Sequence, residues 1–277
     1  MKIPPALDEA LPLLACPVCA ARQLPDATLR REDTSLRCER RHSFDIARGG
    51  YVNLANGPEP ANADSAAMVA ARERFLGSGV YLPLRQALVE MLSGARRVLE
   101  VGAGSGWYLS GVLAAHSHTL GLASDVSVAA ARRAAQHGLA SIVADTWSGL
   151  PVRAGALDAL LCVFAPRNAA EFARMLAPGG RVVVAWPTPR HLAGLRAQLD
   201  LLDVAQGKQE QLGAQMAAAG LVAAGHRLVA FEADCDGAQV RDLVAMGPNA
   251  FHSHQPPGEA SQRIEVSVSI DEFVAGT

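Results

Sequence analysis

The stretch Val98-Leu99-Glu100-Val101-Gly102-Ala103-Gly104-Ser105-Gly106-Trp107-Tyr108 decides the fold. A short apolar run ends in an acid, glycines then recur at every second position, and aromatics open the next segment. Glycines at that spacing strip Cβ atoms from the turn, so a ligand can lie against the backbone. A strand, a Gly-rich turn and a helix form the entry unit of nucleotide-binding α/β domains. Gly102, Gly104 and Gly106 spell GxGxG rather than the GxGxxG of a dinucleotide site, and Trp107 stands where that pattern needs its third glycine. Glu100, placed before the first glycine, would repel a phosphate and welcome an ammonium. The turn therefore points away from a nicotinamide oxidoreductase and toward S-adenosylmethionine.

Working outward, the chain from 97 to 186 alternates strand and helix, which predicts a parallel sheet. Strands are expected at Arg97–Val101, Thr119–Ala123, Ala140–Ala144, Ala156–Val163 and, after a Pro178-Gly179-Gly180 turn, Arg181–Trp186. Helices are expected over Ala66–Leu76, capped by Asp64 or Ser65, over Tyr81–Leu92, and from a cap at Ser127. Further helices near 190–202, 209–219 and 237–246, and strands near 226–233 and Ile264–Val274, complete the pattern. Asp125 lies 19 positions beyond Gly106, the spacing at which a second-strand carboxylate meets a ribose diol; a plain helix-capping acid is the alternative. Asp145 ends the next strand, where it can accept from an adenine amino group with Trp147 close by; a turn acid and a core aromatic are the plainer alternatives. Phe164, Pro166, Arg167 and Asn168 follow the fourth strand, whose carboxyl end faces the ligand crevice of an open sheet, the place for a methyl acceptor.

Upstream, Cys16-Pro17-Val18-Cys19 and Cys38-Glu39-Arg40-Arg41-His42 supply four ligands at zinc spacing. A segment this short buries too little apolar surface to fold unaided, so a metal is expected to stabilise it. With all four positions filled, the zinc is structural. Seven arginines, at 22, 30, 31, 37, 40, 41 and 48, stand among Asp26, Glu32, Asp33, Glu39 and Asp45, a net of about +2 over 22–48. That surface is either a solvated face or a guanidinium face for phosphates. Phe44, Tyr51 and Asn53 either meet an exposed base or pack the ribbon onto its neighbour. The linker Asn56–Ala63 is rich in turn formers and has no apolar period.

The chain has 277 residues, half of them hydrophobic and 19% charged, with a formal net charge of −2. That balance suits a packed protein and excludes nucleic-acid binding by bulk charge, so any RNA contact must be a local patch. No run approaches the roughly 18 apolar residues of a membrane span. The opening residues lack the basic start and apolar core of a signal peptide, so a cytoplasmic protein is expected.

Taken together, Cys-Pro-x-Cys, Cys-x3-His-x-Phe-Asp, Gly-Tyr-Val-Asn-Leu (50–54), the glycine loop, Phe-Ala-Pro (164–166), Pro-Gly-Gly (178–180) and Pro-Arg-His-Leu (189–192) occur in the order found in one family. The chain resembles the 23S ribosomal RNA guanine-N1 methyltransferases, which modify a guanine in a hairpin loop at the mouth of the peptide exit tunnel. Val-Phe-Ala-Pro-Arg-Asn (163–168) and Ala-Met-Gly-Pro-Asn-Ala-Phe-His (245–252) look more like the actinomycete branch, similar to methyltransferases that confer resistance to tylosin- or mycinamicin-type macrolides. The resemblance implies a Rossmann-like class I S-adenosylmethionine-dependent fold, α/β with a seven-stranded mostly parallel sheet. It implies a zinc-ribbon RNA-recognition domain over 1–54, a linker and helical lead-in over 55–96 and a methyltransferase domain over 97–277. It also implies zinc on Cys16, Cys19, Cys38 and His42, cofactor contacts at Tyr81, Gly104, Ser105 and His191, 23S rRNA as partner and a homodimer. His191 is a candidate base by chemistry and equally a cofactor contact. The rival readings are a small-molecule methyltransferase with an accessory ribbon and a non-catalytic zinc-ribbon adaptor.

Overall fold

The computed structural model describes residues 3–24, 27–204, 207–252 and 255–276. Asp26, counted among the ribbon's acids, lies outside them. The chain opens with helix α1 (Pro5–Ala10) and α2 (Pro17–Ala21), followed by the short strands β1 (Leu29–Glu32), β2 (Ser35–Cys38) and β3 (Ser43–Asp45). These three pair antiparallel in a small sheet of their own. Then come β4 (Val52–Asn53), α3 (Ala66–Gly77), α4 (Leu82–Met91), β5 (Arg97–Val101), α5 (Trp107–Ala115), β6 (Leu120–Asp125), α6 (Val128–Gln136) and β7 (Ala140–Val143). The chain continues through β8 (Leu157–Val163), α7 (Ala169–Met175), β9 (Leu176–Pro187), α8 (Ala193–Leu199), α9 (Lys208–Ala218), β10 (Leu221–Cys235), α10 (Gly237–Ala245) and β11 (Gln262–Ala275).

The main sheet runs β10-β11-β9-β8-β5-β6-β7-β4. From β4 to β9 every pairing is parallel, while β11 enters antiparallel between β9 and β10. Seven of these strands make the expected sheet, and Val52 and Asn53 add an eighth. A two-residue strand carries no period, so its pairing with Ile142 and Val143 had no signature in the sequence. From β5 the chain steps to β6 on one side and returns to β8 on the other. That reversal opens a crevice at the carboxyl end of β5, where the glycine loop begins.

Local chemistry sets the boundaries. Ser65 caps α3 by accepting the Met68 N–H at 3.2 Å, and Ser127 caps α6 by accepting that of Ala130 at 3.2 Å. The Pro-Gly-Gly turn is a bulge inside one long strand: Leu157 pairs with Leu176 and Ala159 with Arg181, so residues 177–180 loop out of the ladder. β10 extends well beyond 226–233 because it forms a long hairpin with β11; its outer edge and much of its surface face solvent, which blurs the alternation.

The ribbon is built into the larger body. Leu7, Leu14, Cys16, Cys19 and Leu36 belong to the same apolar cluster as Leu99, Val101, Ile142 and Phe172 under one face of the main sheet. Leu14 also bridges to Val152, and the Ala15 N–H donates to the Pro151 carbonyl at 2.9 Å. Val52, fully buried, sits where the two parts meet. An aspartate there would bury a charge without a partner, at a cost of several kcal/mol. Val52→Asp is expected to lower the melting temperature of the whole chain by roughly 10 °C in a single transition; two separated transitions with the larger one unmoved would show that the parts fold independently.

A glycine loop, two buried acids and a four-ligand cluster

The glycine loop is shaped by what surrounds it. Gly102, Gly104 and Gly106 all have positive φ, at 65°, 57° and 76°. A Cβ on Gly102 would collide with the Cβ of Ala165, and one on Gly106 with the Leu139 side chain. Gly102 therefore lets the loop after β8 close onto the loop after β5, which brings the segment holding Phe164 and Pro166 beside the glycine turn. Gly106 opens α5 and lets its first turn lie against α6. Ser105 is buried, and its carbonyl accepts from His137 Nδ1 at 3.2 Å.

Two carboxylates flank this turn. Asp125, at the end of β6, accepts the Gly104 N–H at 2.8 Å through one oxygen and the Ser127 N–H at 2.9 Å through the other. Burial raises its pKa, while those two donors pull it back down. A carboxylate offers about four lone-pair sites, so two remain for a diol. Glu100 is 1% exposed and accepts the Leu109 N–H at 3.0 Å, at the start of α5. Burial pushes its carboxyl up to about 8, opposed by the Leu109 N–H and by Arg85 and Arg72. Glu100 is thus protonated near neutrality until a cation arrives. Asp145 is half-buried and accepts from the Trp147 N–H at 3.0 Å and the Ser148 hydroxyl at 2.7 Å. Trp147 is 67% exposed, which removes the core-aromatic alternative. A cavity of about 210 Å³ runs past Val126, Val143 and Asp145 to a wall formed by Ala55, Pro58 and Glu59. The linker is pinned there, because Glu59 accepts the Val128 N–H at 2.8 Å and the Asp64 carbonyl accepts the Ser127 hydroxyl at 2.6 Å.

Across the crevice, His191 is buried beside Tyr81. Its Nδ1 accepts the Ser267 N–H at 3.2 Å and its Nε2 lies 3.3 Å from the Tyr81 hydroxyl. Burial pushes the imidazole down to about 4, with Arg196 adding to the effect, so the ring is neutral at pH 7. With Nδ1 accepting, the ring proton sits on Nε2 and donates to Tyr81. His191 has no lone pair free for a proton, which rules against its use as a base in this arrangement and leaves the Tyr81 hydroxyl proton for another acceptor. Phe164 stacks on His191 with ring centroids 5.8 Å apart and planes at 28°. It holds a φ of 52° and remains 42% exposed, an uncommon backbone state for a bulky residue and one that concentrates at functional sites. Asn168 is committed to the fold: its oxygen caps α7 by accepting the Glu171 N–H and its amide donates to the Thr146 carbonyl. Pro166 is exposed and Arg167 half-buried beside them.

Cys16, Cys19, Cys38 and His42 converge, each Sγ lying 3.4 Å from His42 Nδ1 and all four donor atoms within 4.8 Å of one another. A tetrahedral zinc with bonds of about 2.3 Å to sulfur and about 2.0 Å to nitrogen sets S–N edges of about 3.5 Å. The donor set fits that ion and leaves no open position. Burial pushes the Cys16 thiol up to about 12, so a cation is required to hold the cluster as thiolates. Around it Phe44 packs against the shared core, while Arg30, Arg31 and Arg37 pair with Glu39, Asp8 and Glu32. Among the described residues Arg22, Arg41 and Arg48 make no ion pair, while Arg40 Nη1 donates to Cys19 Sγ at 3.7 Å. Cys38→Ser is expected to drop bound zinc from one equivalent to under about a tenth and to lower the melting temperature; elemental analysis finding one equivalent retained would contradict the four-ligand assignment.

The zinc-ribbon family model described as RlmA, N-terminal, matches residues 14–56. A 23S rRNA (guanine(748)-N(1))-methyltransferase of Streptomyces fradiae is 42% identical over 263 residues, covering 91% of this chain and 89% of that one. A protein named as a candidate 23S rRNA (guanine-N1)-methyltransferase of Micromonospora griseorubida is 41% identical over 270 residues, covering 88% and 89%. A solved complex between the Haloferax volcanii Trm112 methyltransferase activator and the candidate methyltransferase matches with a TM-score of 0.53 at 17% identity, over 77% of this chain and 99% of that one, a likeness of fold. Identity at this level, sustained over nine-tenths of the sequence, settles the family: the chain belongs to the 23S rRNA (guanine-N1)-methyltransferases.

Proposed function

We propose that this chain methylates N1 of a guanine in a hairpin loop of 23S rRNA near the peptide exit tunnel, using S-adenosylmethionine. We further propose that the modification protects against tylosin- or mycinamicin-type macrolides, and that the protein works in the cytoplasm, where that RNA is. The observation that carries the reading is the close approach of the loops after β5 and β8 that Gly102 permits. It sets the glycine turn and its two acids against Ala165, next to the exposed aromatic Phe164, in a chain that also carries an arginine-bearing zinc ribbon.

On this reading Glu100 meets the cofactor's ammonium, Asp125 the ribose diol and Asp145 the adenine edge, with Gly102, Gly104, Ser105 and Gly106 beneath and Tyr81 and His191 closing the far side. When bound, the cofactor would supply a sulfonium-activated methyl group for guanine N1, and the N1 proton would pass to solvent water. What the protein contributes is placement. A loop base costs less to unstack than a paired one. Phe164, braced by His191, offers it a ring to stack on, worth about 1–3 kcal/mol. Phe164, Pro166 and Arg167 line the entry, and Asn168 holds that loop in shape. Because both nitrogens of His191 are engaged, the chain's contribution is orientation, which can supply a large share of such a barrier. Arg22, Arg40, Arg41 and Arg48 on the ribbon hold the RNA by its phosphates. The unpaired outer edge of β10, with Val222 57% and Leu228 56% exposed, supports pairing of two copies.

Primer extension on 23S rRNA treated with the protein and S-adenosylmethionine is expected to stop at one guanine, with N1-methylguanosine in the digest. Phe164→Ala is expected to lower the turnover by about tenfold or more while cofactor affinity stays within about twofold. Transfer of label to no RNA would overturn the proposal in favour of a small-molecule acceptor.

A further inference from the structure

Arg72 lies on α3, far from the glycine loop in sequence and against it in space. Its Nη2 donates to the Met246 carbonyl at 2.7 Å, at the end of α10, and its Nη1 pairs with Asp64 in the linker. A Cβ on Gly104 would stand 2.9 Å from Nη1, so the guanidinium occupies space that only a glycine leaves. Three parts of the chain thus aim one cation at the turn. Its side chain is 23% exposed, enough to reach a ligand from a fixed position.

The other ionisable groups around the turn are the acids Glu100, Asp125 and Asp64 and the guanidinium of Arg85. S-Adenosylmethionine carries an ammonium and a sulfonium, which such a site welcomes, and also an α-carboxylate, which it would repel. That carboxylate needs a cation at the turn. Arg85, the other guanidinium on this side, stacks on Trp107 with its central carbon 4.5 Å from the ring centroid. Arg72 is the one that meets the loop. We infer that Arg72 receives the α-carboxylate of the cofactor's methionyl group, with Asp64 and the Met246 carbonyl holding its fork in place. This rests on S-adenosylmethionine being the cofactor. The competing account is that Arg72 only staples α3 to the linker and α10.

Two ligands separate these accounts: S-adenosylhomocysteine and 5′-methylthioadenosine share the adenosine and thioether and differ by the amino-acid end. Calorimetry on the full-length, zinc-loaded protein is expected to show Arg72→Gln binding S-adenosylhomocysteine about 10- to 100-fold more weakly, the loss of a charge-assisted hydrogen bond. Methylthioadenosine should bind within about twofold of wild type. Should Arg72→Gln fail to fold, Arg72→Lys carries the same comparison, because a single ammonium does not reproduce the planar fork. Equal weakening of both ligands, or of neither, would overturn the inference and leave Arg72 a staple. A wild-type protein that binds neither ligand would overturn the S-adenosylmethionine reading along with it.

Discussion

Asp125 joins the two strands on which the site is built. By accepting the Gly104 N–H at 2.8 Å and the Ser127 N–H at 2.9 Å, it ties the end of β6 to the turn after β5 and to the start of α6. Those amides belong to a left-handed turn and a helix start, where backbone donors have no partner of their own. The carboxylate is therefore a structural clasp with lone pairs to spare. Glu100 repeats the arrangement beneath α5. Both acids sit where burial resists ionisation, and both become easier to ionise when a cation or a donor arrives. Two buried acids beside one turn suit a zwitterionic, sulfonium-bearing ligand better than a phosphate.

The ribbon extends that logic to the other end of the molecule. Its own core is too small to stand alone, so it relies on four metal ligands and on Leu7, Leu14 and Leu36 packing beneath the main sheet. β4 then stitches the ribbon's exit onto the edge beside β7. The arginines that make no ion pair are consequently carried on a rigid surface.

Much of this was legible in the sequence because its signals are local. The alternate glycines, the caps at Ser65 and Ser127, the buried strand Leu157–Val163 and the Cys-x2-Cys and Cys-x3-His knuckles each depend on neighbours a few residues away. What sequence reading missed depends on long-range contact. Arg72 meets Met246 across 174 positions, and Glu59 reaches the start of α6 across 69. The left-handed backbone of Phe164 and the tautomer of His191 follow from neighbours that only the fold supplies. The Pro-Gly-Gly turn was right as chemistry and incomplete as geometry, since turn residues and a strand bulge share the same composition.

The central claim, that a buried acid beside the glycine loop takes the ammonium of S-adenosylmethionine, has a direct signature in protons. Glu100 is held up to about 8 without ligand, so near pH 7 it is mostly protonated, and an ammonium at that position must drive the proton off. Affinity should therefore rise with pH through neutrality, until the ligand's own ammonium begins to deprotonate. Calorimetry at pH 7 in buffers of different ionisation enthalpy is predicted to show one S-adenosylmethionine per chain with release approaching one proton, and Glu100→Gln should abolish the release and weaken binding. Tight binding with no proton release in the wild type, or release unchanged by Glu100→Gln, would contradict the account.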